Sequence, residues 1–444
     1  MTLDDTIAAV STPAGEGAIA VLRVSGREAK AIVTRILRAS RDITEWEPRR
    51  VYLGEISNGN GKIDQVLATY FAAPQSYTGQ ELIEISCHGG ILVTQQILSL
   101  LLRHGARSAE PGEFTQRAFL NGKMDLTQAE AVMDLIRAQT ELALRAANEQ
   151  LAGRLGSELR DLQEALLTTL AHVEAYIDFP DEQIDPETGA TLNERLKETA
   201  RRLQRLLGTA EQGRILRHGL RTVIFGEPNV GKSSLLNLLL GYDRAIVSEI
   251  AGTTRDTVED TINFHGIPIR LIDTAGARES DDRLEQEGIR RTHLALEQAD
   301  LILHLVDASG PRKESISCDR KRLLILNKVD LGLHPDWENV SGVRFSCKTE
   351  FGRDTLENEI RSRVMGGEVL LQNSYIAISA RHQASLRQAE EAVTKASEGI
   401  MQNQLPELIA VDLRSALDGI GDVVGKHDTE DLLGKIFSQF CIGK

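Results

Sequence analysis

The stretch Gly226-Glu-Pro-Asn-Val-Gly231-Lys232-Ser233-Ser234 decides the fold, because it fits the phosphate-binding P-loop pattern G-x-x-x-x-G-K-[ST]. The apolar run Thr222–Phe225 before it predicts a buried strand, and Leu235–Leu240 after it predicts a helix. In that setting, backbone N–H groups and the positive end of the helix dipole would hold a polyphosphate. Lys232 would reach the β- and γ-phosphates, and the Ser233 hydroxyl would coordinate Mg²⁺.

Further elements follow the P-loop in the order that a GTPase requires. Gly252-Thr253-Thr254 supplies a hydroxyl for the metal ion that holds the γ-phosphate, and Asp273-Thr-Ala-Gly276 follows the predicted strand Ile269–Ile272. There the Asp273 carboxylate would bind Mg²⁺ through water, while the Gly276 N–H would sense the γ-phosphate. The order and spacing of these elements predict a nucleotide-hydrolysing site.

The base at this site is predicted to be guanine. Asn327-Lys328-Val329-Asp330 follows the predicted strand Leu323–Leu326, and Ser346-Cys347-Lys348 is the expected closing loop around the base. The Asp330 carboxylate can accept hydrogen bonds from guanine N1–H and N2–H, a donor pair that adenine lacks. This element therefore favours a GTPase over an ATPase.

The residue after the second switch glycine departs from the common GTPase plan. Small signalling GTPases place a Gln there to orient the attacking water, whereas this chain has Ala277, whose side chain cannot hydrogen-bond. The water-orienting group must come from elsewhere. Acidic candidates lie downstream at Glu279, Asp281, Asp282, Glu285 and Glu287.

Length and composition indicate an ordinary soluble protein of about three domains. The chain has 444 residues, of which 41% are hydrophobic and 26% are charged. It has no run of about 18 apolar residues and no secretory signal pattern at its N-terminus. Its scattered cysteines fit neither a zinc site nor a disulfide framework, so we expect reduced thiols in a cytoplasm.

The pattern along the chain predicts a multidomain protein of the α+β and α/β classes. Residues 1–120 are expected to form an α+β domain with strands at Ile19–Val24 and Leu82–Ser86 and a helix at Ile91–Leu102. Helical domain segments are expected at 121–217 and 371–444. The P-loop domain at 218–370, with a mainly parallel sheet, is predicted to be inserted between them.

Two details of the helical regions are also predicted. Thr127-x-x-Glu130 and Thr191-x-x-Glu194 fit capping boxes at helix N-termini. Near the C-terminus, one apolar helix face is expected to dock against the helical domain, leaving Ile442-Gly443-Lys444 free to reach outward. That face consists of Leu432, Leu433, Ile436, Phe437 and Phe440.

The charge distribution leaves two interpretations of one basic cluster open. A net charge of −14 argues against a protein that coats nucleic acid non-specifically. Arginines nevertheless cluster before the P-loop strand, where they form either a solvated helix face or an RNA contact. They are Arg201, Arg202, Arg205, Arg214, Arg217 and Arg221.

With its flanking motifs, the sequence resembles the MnmE (TrmE) family of tRNA modification GTPases, within the TrmE-Era-like P-loop GTPases. The resemblance runs nearly end to end, and the terminal tetrapeptide Cys441-Ile-Gly-Lys444 is its most specific feature. The other matching motifs are Gly15–Gly17, Leu22–Gly26, Ser76–Gly79, Cys87–Gly90, Pro111–Phe114, Arg117–Asn121 and Ile177–Asp181.

The resemblance implies an N-terminal domain that binds 5-formyl-tetrahydrofolate or a related folate and forms a homodimer. It also implies a flavin-dependent (FAD) partner of the MnmG type, with which the family builds a carboxymethylaminomethyl or aminomethyl group at C5 of the wobble uridine of certain tRNAs. Hydrolysis in the family requires potassium in place of an arginine finger.

The resemblance also implies roles for individual residues. Glu285 would orient the water, Cys441 would be the important cysteine, and Mg²⁺ would lie on Ser233 and Thr254. The potassium ligands would be Asn229, Thr253 and the backbone at Ser248 and Ile250. Folate contacts would be Arg23, Glu84, Lys123 and Lys444. The expected GTP contacts are Asn229, Val230, Gly231, Lys232, Ser233, Ser234, Ser248, Glu249, Ile250, Ala251, Gly252, Thr253, Thr254, Asp273, Thr274, Ala275, Gly276, Asn327, Lys328, Asp330, Ser346, Cys347 and Lys348.

Simpler interpretations remain open for several of these residues. Ala277 and Gln80 stand where the family usually has Leu and Glu, although neither is an implied ligand. Glu84 could face solvent, Arg23 and Lys123 could be surface charges, and the tail could merely cap the last helix.

Two classes of function fit the G domain. The first is an enzyme that couples GTP hydrolysis to wobble-uridine modification. The second is a GTP-controlled binding switch, for example in ribosome assembly, in which hydrolysis only times release. The N-terminal domain and the Cys441 tail favour the enzyme, because a simple switch would not require them.

Overall fold

The computed structural model describes residues 4–39, 45–59, 61–178, 186–242, 259–272, 294–312, 321–365, 377–425 and 430–444. The chain divides into two compact units. The first comprises Met1–Met133, Leu155–Leu167 and Leu417–Lys444, and the second comprises Asp134–Arg154 and Thr168–Ala416. The domain boundaries expected from the sequence stay predictions.

The first unit is built on a seven-stranded sheet with the order β3-β4-β5-β6-β2-β1-β7. Neighbouring strands are antiparallel except β1 and β7, which run parallel. The strands are β1 (Ile7–Val10), β2 (Gly17–Ser25), β3 (Leu37–Ala39), β4 (Val51–Ser57), β5 (Lys62–Phe71), β6 (Leu82–Gly89) and β7 (Arg107–Ser108).

Helices α1 (Ala29–Ile36) and α2 (Ile91–Arg103) complete the core of this sheet. They bury Ile32, Ile97 and Leu101 against strand residues in one apolar cluster. The α+β prediction for this part of the chain is therefore confirmed, and the two strands and the helix expected from the sequence are present.

Helices α3 (Glu113–Leu120) and α4 (Leu126–Arg137) follow, and α4 begins differently from the prediction. Asp125 Oδ1 accepts a hydrogen bond from Gln128 N, and Gln128 Oε1 accepts one from Asp125 N, both at 3.0 Å. The capping box is thus formed by Asp125 and Gln128. Asp caps a helix at least as well as Thr does, and the Gln side chain can accept the reciprocal hydrogen bond from the backbone N–H of the cap residue. The predicted box at Thr127 and Glu130 was wrong.

The last helix, α13 (Glu430–Phe437), also differs from the expectation. An added Cβ at Gly112, which precedes α3, would lie 2.7 Å from the Phe437 carbonyl oxygen and 3.0 Å from the Cβ of Phe440. Both phenylalanines are buried, and their rings lie 5.3 Å apart. Phe437 and Phe440 therefore pack at the start of α3, in the N-terminal part of the chain, a contact that the sequence did not predict.

The tail that follows α13 is held rather than free. Ile442 forms a β-bridge with Pro111, and Phe114 N donates to the Lys444 carbonyl at 3.2 Å. At Gly443 an added Cβ would lie 2.4 Å from the Val10 carbonyl oxygen. The first turn of a helix has N–H groups without helical partners, and one of those of α3, Phe114 N, is satisfied by the tail. The prediction of a free tail was wrong for this reason.

The second unit contains a six-stranded sheet with the order β13-β12-β11-β8-β10-β9. All pairs are parallel except β9 and β10. Helices α9 (Lys232–Leu240) and α10 (Arg353–Met365) share one apolar cluster with this sheet, which confirms the predicted α/β architecture. The strands are β8 (Leu220–Phe225), β9 (Glu259–Phe264), β10 (Ile267–Ile272), β11 (Leu301–Asp307), β12 (Arg322–Asn327) and β13 (Val343–Arg344).

The remaining helices bear out the predicted helical regions on either side of this sheet. Leu155, Leu159 and Leu162, which recur at helical spacing, are buried on α6. Because α7 starts at Pro186, Thr191 lies inside that helix and the predicted capping box there was wrong. These helices are α5 (Glu141–Leu151), α6 (Arg154–Asp178), α7 (Pro186–Gly208), α8 (Ala210–His218), α11 (Ala380–Met401) and α12 (Pro406–Val424).

Candidate functional site

The P-loop lies between β8 and α9, as the sequence predicts. Gly226 follows β8 and passes Leu305 so closely that an added Cβ would lie 2.2 Å from the Leu305 carbonyl oxygen. Gly231 precedes α9 with a φ of 105°, which a glycine adopts without steric cost. The loop thus brings the N-terminus of α9 to the carboxyl edge of the parallel strands, where α/β proteins bind their ligands.

Lys232 and its neighbours present polar groups at this edge. Lys232 Nζ donates to the carbonyl oxygens of Gly226 at 2.8 Å and Glu227 at 2.7 Å. Burial lowers the pKa of this ammonium group. Ser233 is exposed in the first turn of α9, and Asn229 is exposed with a φ of 65°. The arrangement fits a polyphosphate with a metal ion at the Ser233 hydroxyl.

Asn327 joins the P-loop to the closing loop. Its side chain is buried, its Nδ2 donates to the Val230 carbonyl at 2.7 Å, and its Oδ1 accepts from Cys347 N at 3.0 Å. An added Cβ at Gly231 would lie 2.4 Å from the same Nδ2. One buried amide therefore fixes the phosphate-binding loop against the loop expected to close around the base.

The carboxylate that is predicted to recognise the base is held by the closing loop. Asp330 is exposed, and one of its oxygens accepts a hydrogen bond from the buried Ser346 hydroxyl at 2.6 Å. The Ser346 oxygen also accepts from Lys348 N at 3.3 Å. Burial raises the pKa of the neighbouring Cys347 thiol to about 11, so that it stays protonated. Asp330 is thus oriented with an open side that fits guanine N1–H and N2–H.

Lys328 is fixed by a residue that the sequence analysis missed. Lys328 Nζ donates to Asp307 Oδ2 at 2.6 Å, while Asp307 Oδ1 accepts from the Ser309 hydroxyl at 2.6 Å. Burial opposes ionisation of Asp307, but the hydrogen bonds from Lys328 and Ser309 lower its pKa overall. The signal was the position of Asp307 at the end of β11, at the same edge as Asn327.

Several predicted site residues lie outside the described residues, and their roles stay predictions. They are Ser248, Glu249, Ile250, Ala251, Gly252, Thr253, Thr254, Asp273, Thr274, Ala275, Gly276 and Glu285.

In the first unit, three of the four predicted folate residues are brought together. Arg23 on β2 pairs with Glu84 on β6, and Arg23 Nε donates to Glu84 Oε1 at 2.9 Å. Burial lowers the pKa of Lys444, and the nearby positive charge of Arg23 lowers it further. Arg23 also lies over the ring of Tyr77, with 5.2 Å between the guanidinium carbon and the ring centroid. Glu84 is thus half-buried in an ion pair with Arg23, and its role in binding a folate stays a prediction.

Cys441 and Lys123 have different surroundings. Cys441 is exposed, and its carbonyl accepts from Gly112 N at 3.4 Å. Lys123 Nζ instead donates to the Pro74 carbonyl at 3.0 Å at an exposed position. The tail thus places a thiol beside the charged group on β2 and β6, whereas Lys123 makes its contact with the Pro74 loop.

The arginine cluster before β8 is largely paired with carboxylates. Arg201 pairs with Glu198, Arg214 with Asp300, and Arg217 with Asp134. Arg205 pairs with Glu198 and Arg221 with Asp300 as well. These ion pairs favour the interpretation as structural and solvated charges over an RNA contact.

The side chains at the two sites suit the cofactors that the sequence implies. A serine hydroxyl beside a P-loop suits Mg²⁺, and an arginine, a lysine and a tyrosine ring suit an anionic aromatic ligand such as a folate. Among the described residues, no cluster of three or more His, Cys, Asp or Glu side chains suits a metal ion held by protein alone. Within those same ranges, no helix is both long and apolar enough to cross a membrane.

Comparisons with known proteins add a family context. Residues 6–123 match the model for the GTP-binding protein TrmE N-terminus, and residues 126–441 match that for the MnmE helical domain. The chain is 55% identical to the tRNA modification GTPase MnmE of Akkermansia muciniphila over 447 residues, 99% of either chain. It is 44% identical to the protein of that name from Natranaerobius thermophilus, over 99% of this chain and all of the relative.

Solved structures give a weaker likeness. A GTP-binding protein from Sulfolobus solfataricus in complex with GDP is 17% identical, covers 59% of this chain and 79% of that chain, and has a TM-score of 0.24. A likeness of this size does not bear on the site.

Proposed function

Because the chain belongs to the MnmE family of tRNA modification GTPases, we propose that it uses GTP hydrolysis to build a carboxymethylaminomethyl or aminomethyl group at C5 of a tRNA wobble uridine. The observation that carries this proposal is the Arg23–Glu84 ion pair together with the docked tail, whose Gly443 lies against Val10, the partner of Leu22 on β2. A GTP-controlled switch would need the guanine site at Asp330 but not this second group.

In GTP hydrolysis, this chain's residues bind the metal ions and orient the attacking water. Ser233 and Thr254 would hold Mg²⁺, which neutralises charge on the phosphates. Potassium would take the part that an arginine finger plays in other GTPases, because it lowers the energy of the negative charge that develops during phosphoryl transfer. Its ligands would be Asn229, Thr253 and the backbone at Ser248 and Ile250. Glu285 would orient the attacking water, since Ala277 cannot.

In the modification half, a 5-formyl-tetrahydrofolate or related folate would supply the one-carbon group. Its carboxylates suit Arg23 and Lys444, and its aromatic ring suits a stacked position near Tyr77. Lys123 is proposed as a further cation for the same ligand. Cys441, next to Lys444, would face the modification chemistry.

The partners proposed are a second copy of this chain, an MnmG-type FAD-dependent protein, and the tRNA itself. The homodimer would form through the N-terminal domain, and the flavin partner would supply the redox chemistry. A cytoplasmic location fits a tRNA substrate.

Mass analysis of wobble nucleosides tests this proposal. In cells lacking the chain, we expect the C5 group to disappear from wobble uridine and to return with the wild-type gene. If the C5 group persisted while ribosomal subunits accumulated unjoined, the chain would be a switch in ribosome assembly instead. Retention of a folate absorbance by the purified protein is an independent check.

A further inference from the structure

The turn between β9 and β10 is tightly fixed. His265 and Gly266 form a two-residue hairpin turn with φ values of 50° and 89°, close to those of a type I′ turn. Gly266 N donates to Asn263 Oδ1 at 2.8 Å, and His265 Nε2 lies 2.7 Å from Glu357 Oε2 on α10. The turn is therefore held by its own backbone, by a neighbouring side chain and by a helix.

This turn rests on the first turn of α5. An added Cβ at Gly266 would lie 2.7 Å from Leu142 Cδ1 and 2.8 Å from Leu142 Cγ. A side chain at position 266 would therefore collide with the leucine, and the positive φ adds backbone strain to any such change. Glycine allows the hairpin and α5 to touch directly.

The hairpin links two segments that the sequence assigns to the γ-phosphate. β9 begins at Glu259, a few residues after Thr254, and β10 ends at Ile272, immediately before Asp273. β10 is hydrogen-bonded to β9 on one side and to β8 on the other. A strand that is hydrogen-bonded on both sides moves as a unit. At about 3.3 Å per residue, β10 is roughly 20 Å long, so that a movement at its Asp273 end is transmitted over that distance to the turn at Gly266.

The C-terminal end of α5 is also held in place, by a hydrogen bond from Arg217. Arg217 Nη2 donates to Gln150 Oε1 at 2.8 Å and to the Ala377 carbonyl at 3.1 Å, and its Nε donates to Asp134 Oδ2 at 2.6 Å. The Arg217 side chain is only 13% exposed, so these bonds form in a poorly solvated place. One guanidinium thus joins α5, α4 and the two chain segments that flank the six-stranded sheet.

We propose that the turn at Gly266 and the helix α5 form the route by which the nucleotide at the P-loop acts on the helical part of the chain. Leu142 is the positioning residue that receives the movement of β10, and Arg217 anchors the far end of α5. A shift of β10 then tilts α5 about that anchor and changes its contacts with α4 and α8. This route needs nucleotide binding only, and it stands apart from the tRNA chemistry proposed above.

Hydrogen exchange of the full-length protein tests this route. We expect the α5 amides to exchange at rates that differ about fivefold or more between the GDP complex and the complex with a non-hydrolysable GTP analogue, a typical coupling. Leu142→Ala should reduce that difference to less than about twofold while nucleotide affinity changes little. Leu142→Met, which preserves side-chain volume, should restore it.

Leu144→Ala is the matched control, because Leu144 lies on the same helix but is 43% exposed. The Leu144→Ala protein should show the same difference in α5 exchange rate between the two nucleotide complexes as the wild type. Arg217→Lys should reduce the difference in α5 exchange rate between the two nucleotide complexes. A single ammonium group cannot replace the planar guanidinium, which donates to Gln150 and Ala377 together. The proposal is overturned if Leu142→Ala keeps the wild-type difference, if both alanine variants lose it equally, or if the wild type shows none.

Discussion

The Ser346 hydroxyl donates a 2.6 Å hydrogen bond to the Asp330 carboxylate, and this bond orients the group proposed to distinguish guanine from adenine. Ser346 is buried, whereas Asp330 is exposed. Asn327 connects the same loop to the P-loop through Cys347 N and the Val230 carbonyl. Base recognition and phosphate binding therefore share one rigid framework.

Asp330→Asn should exchange guanine for xanthine specificity. The substituted amide donates where guanine also donates, whereas xanthine has a carbonyl at that position. Hydrogen bonds to a charged group contribute about 1.5–3 kcal/mol each, so GTP affinity should fall by at least about tenfold while xanthosine triphosphate binds better. Equilibrium titration with both nucleotides measures this, and unchanged GTP affinity would contradict it. Ser346→Ala removes only the hydrogen bond that orients Asp330, so it should lower GTP affinity less than Asp330→Asn does.

Potassium should accelerate GTP turnover. No arginine finger is evident in the sequence, and Asn229 lies exposed in the P-loop, where a monovalent cation could neutralise developing charge. Steady-state hydrolysis in potassium and in sodium buffers of equal ionic strength gives the comparison. Turnover should be about tenfold faster or more in potassium, and equal rates would rule out this cation.

Glu285→Ala should lower kcat by about 10²-fold with nucleotide affinity nearly preserved, because general-base and water-orienting groups contribute about that much. Glu287→Ala is the control from the same acidic segment and should keep most of the turnover. Single-turnover hydrolysis and a binding titration separate the two effects. Loss of nucleotide binding in the Glu285 variant would recast the residue as structural.

Gly112→Ala should undock the tail. Its φ is 70°, and an added Cβ would lie 2.7 Å from the Phe437 carbonyl oxygen. Gly122 offers a matched control, because its φ is 68° and an added Cβ there meets no atom of the described residues within 4 Å. Both substitutions carry the backbone strain, but only the first displaces α13. We expect Gly112→Ala to weaken folate binding about tenfold or more and Gly122→Ala to leave it near wild type, as measured by titration; equal effects would contradict the docked tail.

The sequence predicted the parts of the molecule whose structure is determined by residues close together in the chain. The P-loop at Gly226–Ser233 needs glycines, a lysine and a hydroxyl at fixed spacing, so that its place between a strand and a helix follows directly. The pairing of Arg23 with Glu84 was not visible, because it depends on the register of β2 against β6, two strands that are separated in the sequence by α1 and three other strands. The ion pair between Lys328 and Asp307 was missed for the same reason.

The docking of the tail could not be deduced from its own pattern. The apolar face around Phe437 predicted that α13 would be buried, but it gave no information on which surface would cover it. That surface is set by Gly112, where the absence of a side chain admits Phe437 and Phe440. Thr127 misled for a simpler reason, since Asp125 two residues earlier is the better cap.

The most direct measurement is the mass of wobble nucleosides in tRNA from cells whose own copy of the gene is deleted and replaced by one of three versions. The wild type should restore the C5 group, whereas Cys441→Ser and Glu285→Ala should each leave wobble uridine without it. The purified Cys441→Ser protein should still hydrolyse GTP at the wild-type rate. Full restoration of the C5 group by Cys441→Ser would contradict the account, because the tail would then serve only to hold the end of the chain against α3.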